Sequence, residues 1–212
     1  MDVPQSASGD AQREATAGEG RMAAERTVEQ FASRGELRAW LAANHATSQG
    51  IWLKIAKKGG GVSTVTYDEA LEVALTFGWI DGQKRPQDAT FWLQGFTRRG
   101  PRSVWSKRNC EKAQALIDAG LMEPSGLAEV DRAKADGRWA SAYDGQRDAQ
   151  EPPDLMAALA AKPAALQFYA TLNGANRYAI LYRIQDAKRP ETRAARIAKF
   201  AAMLDRGEKI YT

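Results

Sequence analysis

Ile51-Trp52-Leu53-Lys54-Ile55-Ala56-Lys57 is the stretch from which the fold can be read. Apolar residues recur at every second position, so Ile51, Leu53 and Ile55 fall on one face of a strand, and the run stops at Gly59-Gly60-Gly61. A strand that is apolar on one face needs a helical layer on that side. The sequence supplies one immediately downstream. Thr66 and Glu69 have capping-box spacing, Ala70, Leu71, Ala74 and Leu75 repeat at helical intervals, and Phe77-Gly78 marks the stop. A second helix is expected upstream, where Ser33 and Glu36 repeat the capping spacing and Leu37, Trp40, Leu41 and Asn44 share a face that ends at His45. Trp79-Ile80-Asp81-Gly82 is read as leading into a turn, and Phe91 to Thr97 as a returning strand.

From Ser106 the pattern changes to helices separated by brief stops. Asn109–Ala119 ends at Gly120 and Pro124–Asp136 at Gly137; a connector from Trp139 to Glu151 then leads to Pro152-Pro153. Asp154–Ala161, Pro163–Leu172, Asn176–Ala187 and Pro190–Arg206 complete the chain. The expected class is α+β: a small antiparallel sheet with packed helices, followed by a mainly helical C-terminal half. Residues 27–212 are read as one domain, with a sheet half at 27–105 and a helical half at 106–212.

Apart from Met1, residues 1–26 hold only Val3 and Met22 as sizeable apolar side chains, and they are expected to form a disordered, slightly acidic tail. About 186 residues remain, enough to bury roughly 70% of the unfolded surface without a staple. The whole chain has 212 residues, 44% hydrophobic and 26% charged, with formal charge +4. Its single cysteine, Cys110, forms no intrachain bridge, and its single histidine, His45, founds no zinc cluster. No signal-peptide core and no run of 18 uncharged apolar residues occurs. These features point to a cytoplasmic protein without a membrane span, and neither metal nor cofactor is expected.

The chemistry concentrates between Lys84 and Lys112. Lys84, Arg85, Arg98, Arg99, Arg102, Lys107, Arg108 and Lys112 face only Asp88 and Glu111 as acids. Ser106 reads as the N-cap of the helix that follows Trp105, so the positive end of that helix falls in the same stretch. An anion site and a solvated face with arginine stems over the core are both compatible with this run. Trp40, Trp52 and Trp92 sit inside patterned elements and read as core, whereas Trp79 and Trp105 lie at loop edges, where core packing and ligand stacking compete evenly. Asp81 is the one candidate for a working carboxylate, although Asp-Gly also serves turns.

Other chemistries are disfavoured. Lys57 to Thr64 is glycine-rich but lacks the Gly-Lys-Ser/Thr ending of a phosphate loop, and it reads as a hairpin turn. No Gly-x-Ser-x-Gly elbow is present. Cys110 shares an apolar helix face with Ala113 and Ile117, which favours an inert buried thiol.

Four motifs in fixed order carry a resemblance: Gly78-Trp79-Ile80-Asp81-Gly82-Gln83; Ser103-Val104-Trp105-Ser106-Lys107-Arg108-Asn109; Asp136-Gly137-Arg138-Trp139 with Ala142-Tyr143-Asp144; and Thr192-Arg193 with Arg196-Ile197. Over residues 30–210 the chain resembles the bacterial YdeI/OmpD-associated family, named for bacteriocin protection. One departure is Gly95-Phe96-Thr97-Arg98-Arg99, where the family tends toward Arg-Phe-Thr-Pro-Arg. The resemblance implies a small α+β protein linked to bacteriocin or cationic-peptide resistance, and it brings no catalytic residues. The resulting expectation is a non-enzymatic binding protein. Trp79, Asp81, Arg98, Arg99, Arg102, Trp105, Ser106 and Asn109 would line a cleft for a small anionic or amide-bearing ligand or peptide. A small-molecule enzyme with Asp81 as general base is the alternative. Weak nucleic-acid binding ranks last, because +4 over the whole chain is modest.

Overall fold

Ile51, Leu53 and Ile55 share the buried face that their alternation requires, in a computed structural model that describes residues 26–59 and 61–212. They belong to β2 (Ile51–Ala56), which pairs antiparallel with β4 (Phe91–Arg98) in a register that sets Ile51 beside Phe96 and Ile55 beside Trp92. The apolar faces of the two strands therefore add. β3 (Trp79–Pro86) pairs antiparallel with the far side of β4, and β1 (Thr27–Glu29) pairs parallel with β2, giving the order β1-β2-β4-β3.

Two expectations need correction here. The sheet is mixed rather than purely antiparallel, because β1 joins its edge. Thr27-Val28-Glu29 is only three residues long, with Val28 half exposed, so it carries no periodicity to read. Trp79 to Gly82 are strand residues rather than the approach to a turn. The chain turns earlier, at Gly78, whose φ of +75° lies in the left-handed region. The Asp-Gly pair acts instead as a register shift between Asp81 and Lys84 within β3.

Helices α1 (Arg34–Asn44) and α2 (Tyr67–Thr76) back one face of the sheet. Ser33 accepts the Glu36 N–H at one helix start, and Thr66 and Glu69 form a reciprocal capping box at the other. Leu37, Leu41, Ala70, Val73, Ala74, Phe77 and Phe96 fill the layer between. Against the outer side of α2 lie α3 (Lys107–Asp118) and α4 (Pro124–Ala135), joined by Leu71, Leu75, Trp105, Leu116 and Val130. A Cβ at Gly126 would meet the Thr76 carbonyl oxygen at 2.2 Å, so α4 reaches this close only as glycine.

The last four helices are α5 (Pro153–Ala160), α6 (Pro163–Thr171), α7 (Gly174–Gln185) and α8 (Pro190–Asp205). They enclose a core of their own built on Leu155, Leu159, Ile180, Ile184, Phe200 and Leu204. Arg193 grips Asp154 through two nitrogens at 2.6 and 2.8 Å, closing α8 on α5, and Arg196 reaches the Arg183 carbonyl and Asp186 at the end of α7. Both arginines of the last quoted motif are thus helix ties. The connector before α5 is stitched to the first half by Tyr143, whose N–H donates to the Trp105 carbonyl at 3.0 Å and whose carbonyl accepts from Lys107 N–H at 2.9 Å. Its ring meets Tyr182 of α7 edge to face, 5.0 Å apart. The tail expected at residues 1–26 lies, apart from Arg26, outside the described residues. Among those described, no helix is long and apolar enough to cross a membrane.

Candidate functional site

Gly78 and the end of β4 together build a concavity that gathers two adjacent arginines. A Cβ at Gly78 would lie 2.8 Å from Glu129 Cγ and 2.9 Å from the Ser125 carbonyl, so glycine allows α4 to pack against this turn. The Gly78 carbonyl accepts the Arg99 N–H at 3.0 Å, which fixes the backbone where β4 ends. Arg98, Arg99, His45, Ser125 and Glu129 consequently line one cleft of about 530 Å³. Arg98 donates to the Ala46 carbonyl at 2.9 Å. Glu129 forms an ion pair with Arg132, one turn along α4, rather than with either cleft arginine.

Arg99 is the unusual member. It is only 5% exposed, and its guanidinium stacks 3.5 Å from the centre of the Trp105 ring. One nitrogen, Nη1, donates to the Val104 carbonyl at 3.1 Å; Nε and Nη2 are buried with no acceptor among the described residues. Burial pushes its pKa down to about 10, against the opposing influence of Cys110, Glu129, Asp81 and Tyr143. A buried cation with unused donors is costly unless an acceptor arrives.

The eight sequence candidates do not converge on one concavity. Trp79 is fully buried, its indole N–H donating to the His45 carbonyl at 3.2 Å and its ring edge-on to Trp40 at 6.0 Å. Trp105 is 2% exposed and lies between Arg99 and Trp139. Both indoles are core because a tryptophan at a loop edge can still point inward, and neighbouring polar residues in sequence say nothing about that direction. Ser106 is the N-cap of α3 and accepts the Asn109 N–H at 3.2 Å; both residues are buried in that structural role. Asp81 accepts the Tyr67 hydroxyl at 2.7 Å, and that phenol is pushed above its ordinary range by burial first and by Asp81 second. Arg102 is exposed in the loop after β4. Arg98 and Arg99 meet in one cleft, Trp105 supports Arg99 from behind, and the other five lie elsewhere.

His45, Ser125 and Glu129 were not among the candidates, although they line this cleft. His45 was visible as the lone histidine at a helix end, but only the tertiary packing of α4 shows that residues near 125–129 face Arg98.

Comparison with known proteins agrees in part with the sequence resemblance. Residues 148–207 match a family model described as bacteriocin-protection, YdeI or OmpD-associated, and residues 29–129 match a model described as a domain of unknown function. The match to the named family is narrower than the resemblance read over 30–210: of the four motifs, only the one at Thr192 to Ile197 falls inside it. No curated protein and no solved structure matches the chain. Among the described residues, no group of three or more His, Cys, Asp or Glu side chains could hold a metal ion. The helical region that closes on Asp154 and Arg193 carries the likeness: residues 148–207 are similar to the bacteriocin-protection, YdeI or OmpD-associated family.

Proposed function

We propose that the chain is a non-enzymatic bacterial binding protein of the bacteriocin- or cationic-peptide-protection type, acting in the cytoplasm, with the Arg98–Arg99 cleft taking the anionic group of a small ligand or peptide. The observation that carries this reading is the Arg99 guanidinium, buried on Trp105 with Nε and Nη2 lacking acceptors. A carboxylate or phosphate would satisfy those donors in the fork geometry that arginine favours, and Arg98 and His45 would complete the rim. Trp105 then serves recognition indirectly, by holding the guanidinium plane. Asp81, with its oxygen engaged by Tyr67, anchors β3 to α2 in this reading rather than acting as a base. The unbridged Cys110 fits a reducing compartment.

Residues 27–212 act as one unit in this proposal, since Tyr143 and the Lys107–Asp144 pair tie the sheet half to the helical half. Calorimetric titration with acetate, inorganic phosphate and short peptides with free C-termini tests the site. Arg99→Lys keeps the charge but loses the fork and should weaken the best anion about 10- to 100-fold, the scale of one or two charged hydrogen bonds. Equal affinity in wild type and Arg99→Lys would end the proposal.

A further inference from the structure

A second cleft, of about 1320 Å³, lies at the opposite end of the same sheet face, where neither the site above nor any sequence candidate falls. Its apolar wall is a cross-strand ladder. Ile55 of β2 pairs with Trp92 of β4, and Trp92 pairs with Pro86 of β3, so all three project to the helix-covered side. Tyr67, the first residue of α2, adds a second ring 6.2 Å from Trp92 and inclined by 41°. Its hydroxyl is fixed on Asp81, which holds the phenol in place.

Lys84 places its ammonium 4.2 Å from the centre of the Trp92 ring. Lys84 and Lys58 both line the cleft, and neither has a carboxylate within ion-pair distance among the described residues. The one acid on this rim, Asp68, is held by Arg108 at 2.5 Å and so does little to neutralise the lysines. At the α2 start the Thr66 and Glu69 N–H groups are already used by their capping box, and the lysine side chains supply the attraction for an anion.

We infer that this cleft is a separate binding site for an aromatic anion, its flat ring lying against Trp92 and Tyr67 and its phosphate or carboxylate meeting Lys84 and Lys58. Stacking on two inclined rings recognises the planar body, and an unpaired ammonium beside the indole recognises the charge. Either part alone would be held poorly, because the wall is apolar and the lysines are partly in water.

The test uses 1-naphthyl phosphate, 1-naphthol and inorganic phosphate as probes, titrated calorimetrically into the full chain. Naphthyl phosphate should bind at least about tenfold more tightly than either fragment. Lys84→Gln, a change at an exposed residue, should weaken it about tenfold without altering the fold, and Trp92→Leu should do the same by removing the ring. Arg99→Met should leave it unchanged, which separates this site from the Arg98–Arg99 cleft. Naphthyl phosphate binding no tighter than phosphate, indifference to Lys84→Gln, or a loss on Arg99→Met would each overturn the inference. Should Trp92→Leu fail to fold, the Lys84→Gln result decides alone.

Discussion

The basic stretch from Lys84 to Lys112 divides at Trp105 into two regions that use the same residue types in opposite ways. On α3 every basic residue has a carboxylate from a neighbouring element: Lys107 holds Asp144 at 2.5 Å, Arg108 holds Asp68 at 2.5 Å, and Lys112 holds Glu72 at 2.7 Å. On the strands and loop before it, four of the five cations meet rings or carbonyls instead. Lys84 lies over Trp92, Arg85 over Trp52 at 4.1 Å and Arg99 over Trp105, while Arg98 reaches the Ala46 carbonyl. A count of charges along the sequence treats these regions as one patch. The fold neutralises one of them and leaves the other with donors to spare.

The contrast is broken most severely at the indole beneath Arg99. Trp105→Ala should cost about 3–5 kcal/mol in urea unfolding, the range for deleting a buried tryptophan, because the ring also packs on Trp139 and the α3 core. Arg102→Ala, in the same loop but exposed, should stay within about 0.5 kcal/mol. Similar losses for the two would mean that Trp105 is not the core residue described here.

Cys110 sharpens the same boundary from the α3 side. Burial pushes its thiol up to about 11, with Arg99 partly opposing the shift. Thiolate at pH 8 is then about 100-fold scarcer than for the same thiol at its ordinary 9.0, and alkylation by iodoacetamide should slow accordingly until the protein is denatured. The shift also has a stability consequence. The unfolded thiol ionises first, so this contribution is complete below about pH 9 and is lost as pH rises toward 11. Rapid native alkylation would place Cys110 in an open, electropositive setting.

A smaller effect concerns the pairing on α3 itself. The Lys107 ammonium, with Gln185 behind it, holds the Asp144 carboxyl below its ordinary 3.8. The folded protein therefore binds this proton less readily than the unfolded chain. The stabilisation is present above about pH 3.8 and fades as pH falls through the lower folded value. Lys107→Ala should lower the neutral plateau of a stability–pH curve slightly, the pair being solvent-screened, and so flatten the acid limb by the same amount while stability well below pH 3.8 stays unchanged. An unchanged acid limb would show that the pair is not formed in solution.

Much of the fold could be read along the chain because its elements carry local signals. Capping boxes at Ser33 and Thr66, alternation in Ile51 to Ala56 and the prolines opening the last helices all act within a few residues, and the helices appear within about two residues of their expected limits. β1 escaped notice because three residues with one apolar side chain gain their structure from the neighbouring strand. The site was less legible for a related reason. Arg98 and Arg99 stood out by charge, yet which tryptophan faced solvent depended on the Gly78 turn and on the approach of α4, both of them long-range. Trp92 and Lys84, assigned respectively to core and to an undifferentiated charge run, lie together only because β3 and β4 pair with Pro86 opposite Trp92.

The spare donors of Arg99 are the central claim, and guanidinium 1H–15N NMR observes them directly. In the anion-free protein the Arg99 Nε–H should give a resolved, slowly exchanging signal, and titration with acetate or inorganic phosphate should shift it saturably in the direction of a new hydrogen bond, with Arg98 responding in parallel and Arg85 unmoved. An Arg99 signal that stays fixed while either anion reaches molar excess over every cation on the surface would contradict the account.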